Sequence, residues 1–181
     1  KEGNSYYDLF LISKDGNIVY SVEKEADLGQ NLIEGKLKKS PLAKCFQKAL
    51  KEVVFQDFEI YAPSGNRYAA FIGAPVSYKN DIIGVVAFQL ATEPFNAIVQ
   101  RRDGMGKTGE SYIVGKSEGK IAFRSNLLVV GGGRYTIGYE ISRPYIDEAL
   151  AGKTGFGIYT GSQGNLIMAA FAPLHLKGLD W

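Results

Sequence analysis

The chain of 181 residues is 45% hydrophobic, 22% charged and 12% aromatic, which suits one large or two small globular domains and excludes a disordered or collagen-like polymer. Its net charge is +2, with 11 basic against 12 acidic residues in 1–100 and 10 against 7 in 101–181. That distribution offers no basic stripe to neutralise phosphates and argues against nucleic acid as a partner.

A single Cys and a single His exclude an internal disulfide and a Cys/His zinc cluster. Tyr (11), Phe (10) and Gly (22) against one Trp and two Met favour sheets and turns over a helix bundle. No apolar run approaches the roughly 18 residues needed to span a bilayer. The sequence starts at Lys1 without Met or a signal peptide and stops at Trp181, so it reads as a piece of a longer protein.

Residues 6–12, Tyr-Tyr-Asp-Leu-Phe-Leu-Ile, predict a strand, and Asp15-Gly16 a tight turn back into Ile18-Val19-Tyr20. A polar stretch without periodicity covers 23–40. Ser40 is a natural N-cap with Pro41 in the first helical position, and Leu42, Cys45, Phe46, Ala49 and Leu50 recur at helical spacing. Cys45 reads as a small core residue. Strands follow at Val53–Tyr61, Arg67–Tyr78 and Ile82–Leu90, separated by turns at Pro63-Ser64-Gly65-Asn66 and Lys79-Asn80-Asp81. Thr92 is expected to cap a helix with Phe95, Ile98 and Val99 on one face, Arg101 and Arg102 in its last turn, and Gly104 ending it.

The second half predicts strands at Glu110–Gly115 and Ile121–Ser125 around Ser117-Glu118-Gly119. A loop through Gly131-Gly132-Gly133 leads to a helix opening near Ser142 and Pro144, with Ile146, Ala149 and Leu150 inward and Gly152 stopping it. Phe156–Thr160 and Leu166–Leu174 are the last strands, around Ser162-Gln163-Gly164-Asn165. The two halves repeat. Lys14-Asp-Gly-Asn-Ile-Val-Tyr20 aligns with Ser117-Glu-Gly-Lys-Ile-Ala-Phe123, Ala49-Leu50 with Ala149-Leu150, Tyr61 with Tyr159, and Ala69–Pro75 with Ala169–Pro173. Matched elements in one order argue for tandem copies of a module.

No motif specifies bond-making chemistry. Gly104-Met-Gly-Lys-Thr-Gly109 lacks the Gly five positions before Gly-Lys-Thr that a phosphate loop needs, because Arg101 stands there, and it follows a helix where the motif follows a strand. His175 has no nucleophile elbow beside it. Asp57 and Glu59 lie two apart on a predicted strand, which puts them on one face, where paired carboxylates could serve a hydrolase or a cation site; a solvated strand face is the alternative.

Three stretches carry a family resemblance. These are Phe55–Tyr61 leading to Ala69–Pro75 and Ile83-Gly84-Val85, then Gly104-Met-Gly-Lys-Thr-Gly-Glu-Ser-Tyr-Ile-Val-Gly115 followed by Phe123-Arg124-Ser125, and finally Ala149–Gly155 running to Ala170-Phe-Ala-Pro173 and Gly178-Leu-Asp-Trp181. With them the chain resembles the double Cache domains, tandem PAS-like sensors outside the membrane in bacterial methyl-accepting chemotaxis proteins and sensor kinases. The resemblance implies an α+β fold of two PAS-like modules, each an antiparallel sheet of about five strands with flanking helices. The expected modules are 1–91 and 109–181, joined by a helix and turn over 92–108, with the second cut within its last strand and the membrane-emerging helix absent before Lys1. The amino-acid-binding subgroup places Arg and Trp just after the first module's helix. Lys51-Glu-Val-Val-Phe55 stands there instead, which argues against a free amino acid as ligand.

The function implied is that of an extracytoplasmic, non-enzymatic small-molecule sensor of a membrane-anchored, homodimeric receptor. Its ligand would be an organic acid, an amine or similar, and no cofactor or metal is expected. A histidine kinase or cyclase output, a hydrolase using Asp57 and Glu59, and a cofactor-binding PAS or GAF module are the alternatives. This fragment by itself is expected to be monomeric or weakly dimeric. The two-residue period of a strand groups Phe55, Asp57, Glu59 and Tyr61 on one face. Asp57, Tyr61 and Tyr68 are therefore the expected polar part of a ligand site between the sheet and the helix with its preceding loop, walled by Phe55 and Phe71. Tyr112, Arg124, Ser125 and Tyr159 are the corresponding candidates in the second module.

Overall fold

A computed structural model describes residues 6–161 and 164–181; Ser162-Gln163 of the expected last turn, and residues 1–5, lie outside it. Strands β1 (Tyr6–Ser13) and β2 (Ile18–Ser21) form the expected hairpin. Helix α1 (Pro41–Ala49) starts where Ser40 accepts the Ala43 N–H. Strands β3 (Val54–Tyr61), β4 (Arg67–Tyr78) and β5 (Asp81–Leu90) complete a five-stranded antiparallel sheet in the order β2-β1-β5-β4-β3. α1 lies on one face of it. Phe10, Ile12, Ile18, Leu42, Cys45, Phe46, Tyr61, Phe71 and Val85 make the core between them. Gly73 allows the close approach, since a Cβ there would meet Cys45 Sγ and Ala49 Cβ at 2.8 Å.

β3 does not keep a two-residue period. Gln56 opposes Phe71 and Glu59 opposes Ala69, so Asp57 and Phe58 share one partner position on β4. This is a β-bulge, and it re-aims the side chains that flank it. Gln56, Glu59 and Tyr61 face α1, with Gln56 Nε2 donating to Glu59 Oε1 at 2.9 Å. Phe55, Asp57 and Phe58 face the opposite way. The expected grouping of Phe55, Asp57, Glu59 and Tyr61 is therefore split in two. Asp57 and Glu59 do not form a carboxylate pair.

Helix α2 (Thr92–Val99) begins at Thr92, with Ala91 as a cap that makes no side-chain bond. Asn96 is buried and Phe95 packs against Phe58 and Trp181, whereas Ile98 is 72% exposed, so of the expected apolar face only part turns inward. Asn96 Oδ1 accepts the Asn126 N–H at 2.8 Å, and that polar contact orients the helix. Arg101, Arg102 and Gly104 fall beyond the helix. The carbonyls of Gly106, Lys107 and Gly109 converge on the Arg102 guanidinium, an arrangement opposite in sign to a phosphate cradle.

The second half forms two separate hairpins rather than the expected five-stranded sheet: β6 (Val114–Ser117) with β7 (Lys120–Phe123), and β8 (Gly155–Thr160) with β9 (Leu166–Phe171). Between them lie a 3-10 turn at Val130–Gly133 and helix α3 (Pro144–Leu150). The expected strand at Glu110 starts late because Glu110 instead accepts the N–H groups of Leu128, Val129 and Val130 at 2.8, 3.0 and 2.7 Å. α3 covers one face of the β8–β9 hairpin, with Tyr145 against Tyr159 and Phe171. The other face bears Phe156, Ile158, Leu166 and Met168, each more than 70% exposed. The halves share a core in which Phe58, Ala70, Ile137 and Trp181 pack with Phe55, Leu90, Phe95, Ile113 and Leu179. Among the described residues no helix is long and apolar enough to cross a membrane.

Candidate functional site

The bulge makes β3 the strand that serves two polar centres, one on each face of the sheet.

On the face shared with α1, residues 22–27 of the loop after β2 meet Asp8 and Tyr61 at one end of the strands, here the loop end, while residues 29–33 run along β2 to the Asp15–Ile18 turn at the other. The loop end is polar. Tyr61 OH donates to Asp27 Oδ2 at 2.7 Å, with both residues fully buried. Tyr7 OH and Ser64 Oγ donate to the two oxygens of Glu25, each at 2.8 Å, and Gln89 Nε2 donates to Ser64 Oγ at 3.1 Å. Asp8 is saturated. It accepts from Ser21 Oγ at 2.7 Å and from the N–H groups of Leu9, Val22 and Glu23. Asp27 Oδ1, by contrast, has no hydrogen-bond partner among the described residues. Burial raises the Asp27 pKa, the Tyr61 bond opposes the shift, and the charges of Asp8 and Glu25 add to it. Burial, with Asp27 beside it, pushes the Tyr61 phenol well above its ordinary range and keeps it a donor. Phe71 walls the site, its ring centroid 5.1 Å from that of Tyr61.

On the opposite face, Arg124 donates from Nε to Asp57 Oδ1 and from Nη2 to Asp57 Oδ2, both at 2.7 Å, and from Nη1 to the Ala122 carbonyl. Trp181 Nε1 donates to Asp57 Oδ1 at 3.1 Å, and its ring stacks on Phe58 at 6.0 Å and 13°. Phe55 meets the same indole edge-on. Arg124 is 4% exposed and Asp57 8%. A fork-to-fork pair this dry is a strong directional contact, and here it joins residues 67 positions apart.

Of the nine sequence candidates, the structure therefore sets Tyr61 and Phe71 together on the α1 face and joins Phe55, Asp57 and Arg124 on the other. Ser125 is buried beside Arg124 and accepts the Ile113 N–H at 2.9 Å. Tyr68 is 36% exposed and packs against Gly138, where a Cβ would stand 2.0 Å from its ring. Tyr112 and Tyr159 sit in an aromatic group around Tyr145, with a Tyr112–Tyr145 hydroxyl contact of 3.0 Å. Burial, then that contact, raises the Tyr112 pKa. Asp27 and Trp181 were missed. Asp27 lies in an aperiodic polar stretch with no signal of burial, and Trp181 meets Asp57 across 124 residues.

The sequence matches no protein-family model and no curated protein. Solved structures are similar in fold. The ligand-binding domain of the Pseudomonas aeruginosa PAO1 amino acid chemoreceptor PctC, in complex with GABA, gives a TM-score of 0.61 at 15% identity over 97% of this chain and 71% of that one. That of PctB from the same organism, in complex with L-Gln, gives 0.60 at 17% over 97% and 65%. The domain of the Campylobacter jejuni chemoreceptor Tlp3, in complex with 4-methylisoleucine, gives 0.56 at 16% over 91% and 60%. The chain thus spans roughly two thirds of the domains it resembles, and the likeness establishes the fold: an α+β architecture built on a five-stranded antiparallel sheet.

Proposed function

We propose that the chain is the small-molecule-sensing domain of a bacterial transmembrane signalling receptor, a methyl-accepting chemotaxis protein foremost. It would be placed outside the cytoplasm and anchored, as a homodimer, by segments outside this sequence. The observation that carries the proposal is the likeness of fold over 97% of the chain to two chemoreceptor ligand-binding domains that hold small organic ligands. Fold alone does not assign function, so the place of the site needs its own support. The loop end of the α1 face supplies it. Asp8, Ser21, Asp27, Ser64 and Gln89 are all buried there, and among them Asp27 Oδ1 has no hydrogen-bond partner among the described residues, a desolvation cost that a bound donor would offset.

The domain assignment follows the repeat, with a sensing module in 1–91, a connector over 92–108 and a second, divergent module in 109–181. A hydrolase is disfavoured because Asp57 and Glu59 face opposite ways, and Asp57 is held by Arg124. Histidine kinase and cyclase outputs accept the same sensor and are distinguished by the domain that follows it. A thermal-shift screen with small organic acids, amines and nucleobases tests the reading. At least one compound should raise the melting temperature saturably. A library in which none does so would refute a sensing role for the domain.

A further inference from the structure

Asp27 is the buried group at the loop end whose hydrogen bonding is incomplete. Asp8 next to it accepts four hydrogen bonds, and each oxygen of Glu25 accepts a hydroxyl, but Asp27 Oδ1 accepts none among the described residues. A fully buried carboxylate oxygen without a donor carries its full desolvation cost, so what completes it must bring an N–H or O–H. Charge selects between the two. The charges of Asp8 and Glu25 both act on Asp27, and the nearby cations are exposed: the loop lysines Lys24, Lys36, Lys38 and Lys39, and Arg67, which donates to the Ser64 carbonyl and the Tyr7 hydroxyl. An anionic ligand would meet three carboxylates there, and the carboxylate of an amino acid would find no buried cation to pair with. An ammonium group finds a matched acceptor.

Building on the sensor reading above, we propose that the loop end of the α1 face binds a small organic amine that carries no carboxylate, its ammonium donating to Asp27 Oδ1 against the Tyr61 and Phe71 rings. Asp27 belongs to the loop and Tyr61 to β3. The amine therefore enters by parting the Tyr61–Asp27 hydrogen bond and, once bound, adds a further tie between loop and sheet to those that Glu25 makes with Tyr7 and Ser64. β3 is also the strand that holds Arg124 and Trp181 on its far face, so a change at Tyr61 lies four residues from the joint between the halves.

Calorimetric titration of the wild type and Asp27→Asn with 1,4-diaminobutane, ethanolamine, L-glutamine, succinate and Ca²⁺ tests this. The expected result is binding of 1,4-diaminobutane or ethanolamine that weakens at least about tenfold in Asp27→Asn, whose melting temperature stays at or above that of the wild type. Amine binding unchanged in Asp27→Asn overturns the proposal. Binding of succinate or L-glutamine without the amines overturns the amine class and leaves the sensor reading standing. Ca²⁺ binding lost in Asp27→Asn, with no amine binding, replaces the amine by an inorganic cation. Failure of all five probes overturns the amine proposal, and the wider screen then decides the sensor reading separately. Should Asp27→Asn fail to fold, Tyr61→Phe keeps the ring and frees Asp27 Oδ2. Amine affinity must then hold or rise, and a tenfold fall overturns the proposal.

Discussion

Replacing Asp57 by Ala tests the joint between the halves. The Asp57 carboxylate receives two hydrogen bonds from Arg124, one from Trp181 and one from its own neighbour Phe58, all in a site less than 10% exposed. Its removal leaves the Arg124 guanidinium buried with the Ala122 carbonyl as its remaining partner, and the cost of breaking a buried pair in this way is about 3–5 kcal/mol. Losing the acceptor of the indole N–H adds about 1 kcal/mol. Against a total stability of about 5–15 kcal/mol, the change takes away a large fraction of it. Urea unfolding followed by fluorescence and by far-UV circular dichroism measures the loss, and the fluorescence reports the joint itself, because Trp181 is the sole tryptophan. In the wild type the two probes should give one coincident transition. In Asp57→Ala the midpoint should fall and the tryptophan emission of the native state should shift to the red. The double variant Asp57→Leu/Arg124→Met, which removes both charges, should recover most of the loss. A loss under about 1 kcal/mol in Asp57→Ala, with unchanged emission, would refute the reasoning, because it would mean the pair is solvated rather than buried.

Asp27 carries a raised pKa in the folded state, so the stability from holding its proton is present at low pH and is lost as pH rises through the folded pKa. Asp27→Asn should accordingly gain on the wild type as pH rises, and a melting-temperature difference that stays constant between about pH 4 and about pH 8 would contradict this. Gly73→Ala should cost about 1–3 kcal/mol by driving a methyl into Cys45 and Ala49, with partial rescue by Ala49→Gly in a double-mutant cycle of chemical denaturation. The uncovered face of the β8–β9 hairpin should bind the dye ANS, and Ile158→Thr with Met168→Thr should reduce that fluorescence without lowering the unfolding midpoint by more than about 1 kcal/mol. Unchanged dye binding would mean that this face is covered in solution.

Local chemistry made much of the first half readable from the sequence. Ser40-Pro41 sets the start of α1 because a hydroxyl cap and a proline in the first turn satisfy the helix end without long-range help. The strands β1 to β5 follow from β-branched and aromatic runs broken by Asp15-Gly16, Ser64-Gly65 and Asn80, where the chain must turn. The same signals placed α3 and the two hairpins of the second half, but not their assembly. Hairpin formation is a local event, whereas joining hairpins into one sheet depends on partners distant in the chain. The bulge at Asp57-Phe58 was decided by tertiary structure. No residue there announces it, yet it reverses the facing of every side chain beyond it and sends Asp57 to Arg124 while Glu59 turns to Lys44. Burial of Asp27 was likewise settled by packing, since a carboxylate in an aperiodic loop reads as solvated until the fold brings Tyr61 over it. The sequence alone thus determined which segments extend, turn or coil, because those choices rest on each residue and its near neighbours. The tertiary structure determined which charges meet, because a buried carboxylate is matched to its donor only when strands distant in sequence close upon it.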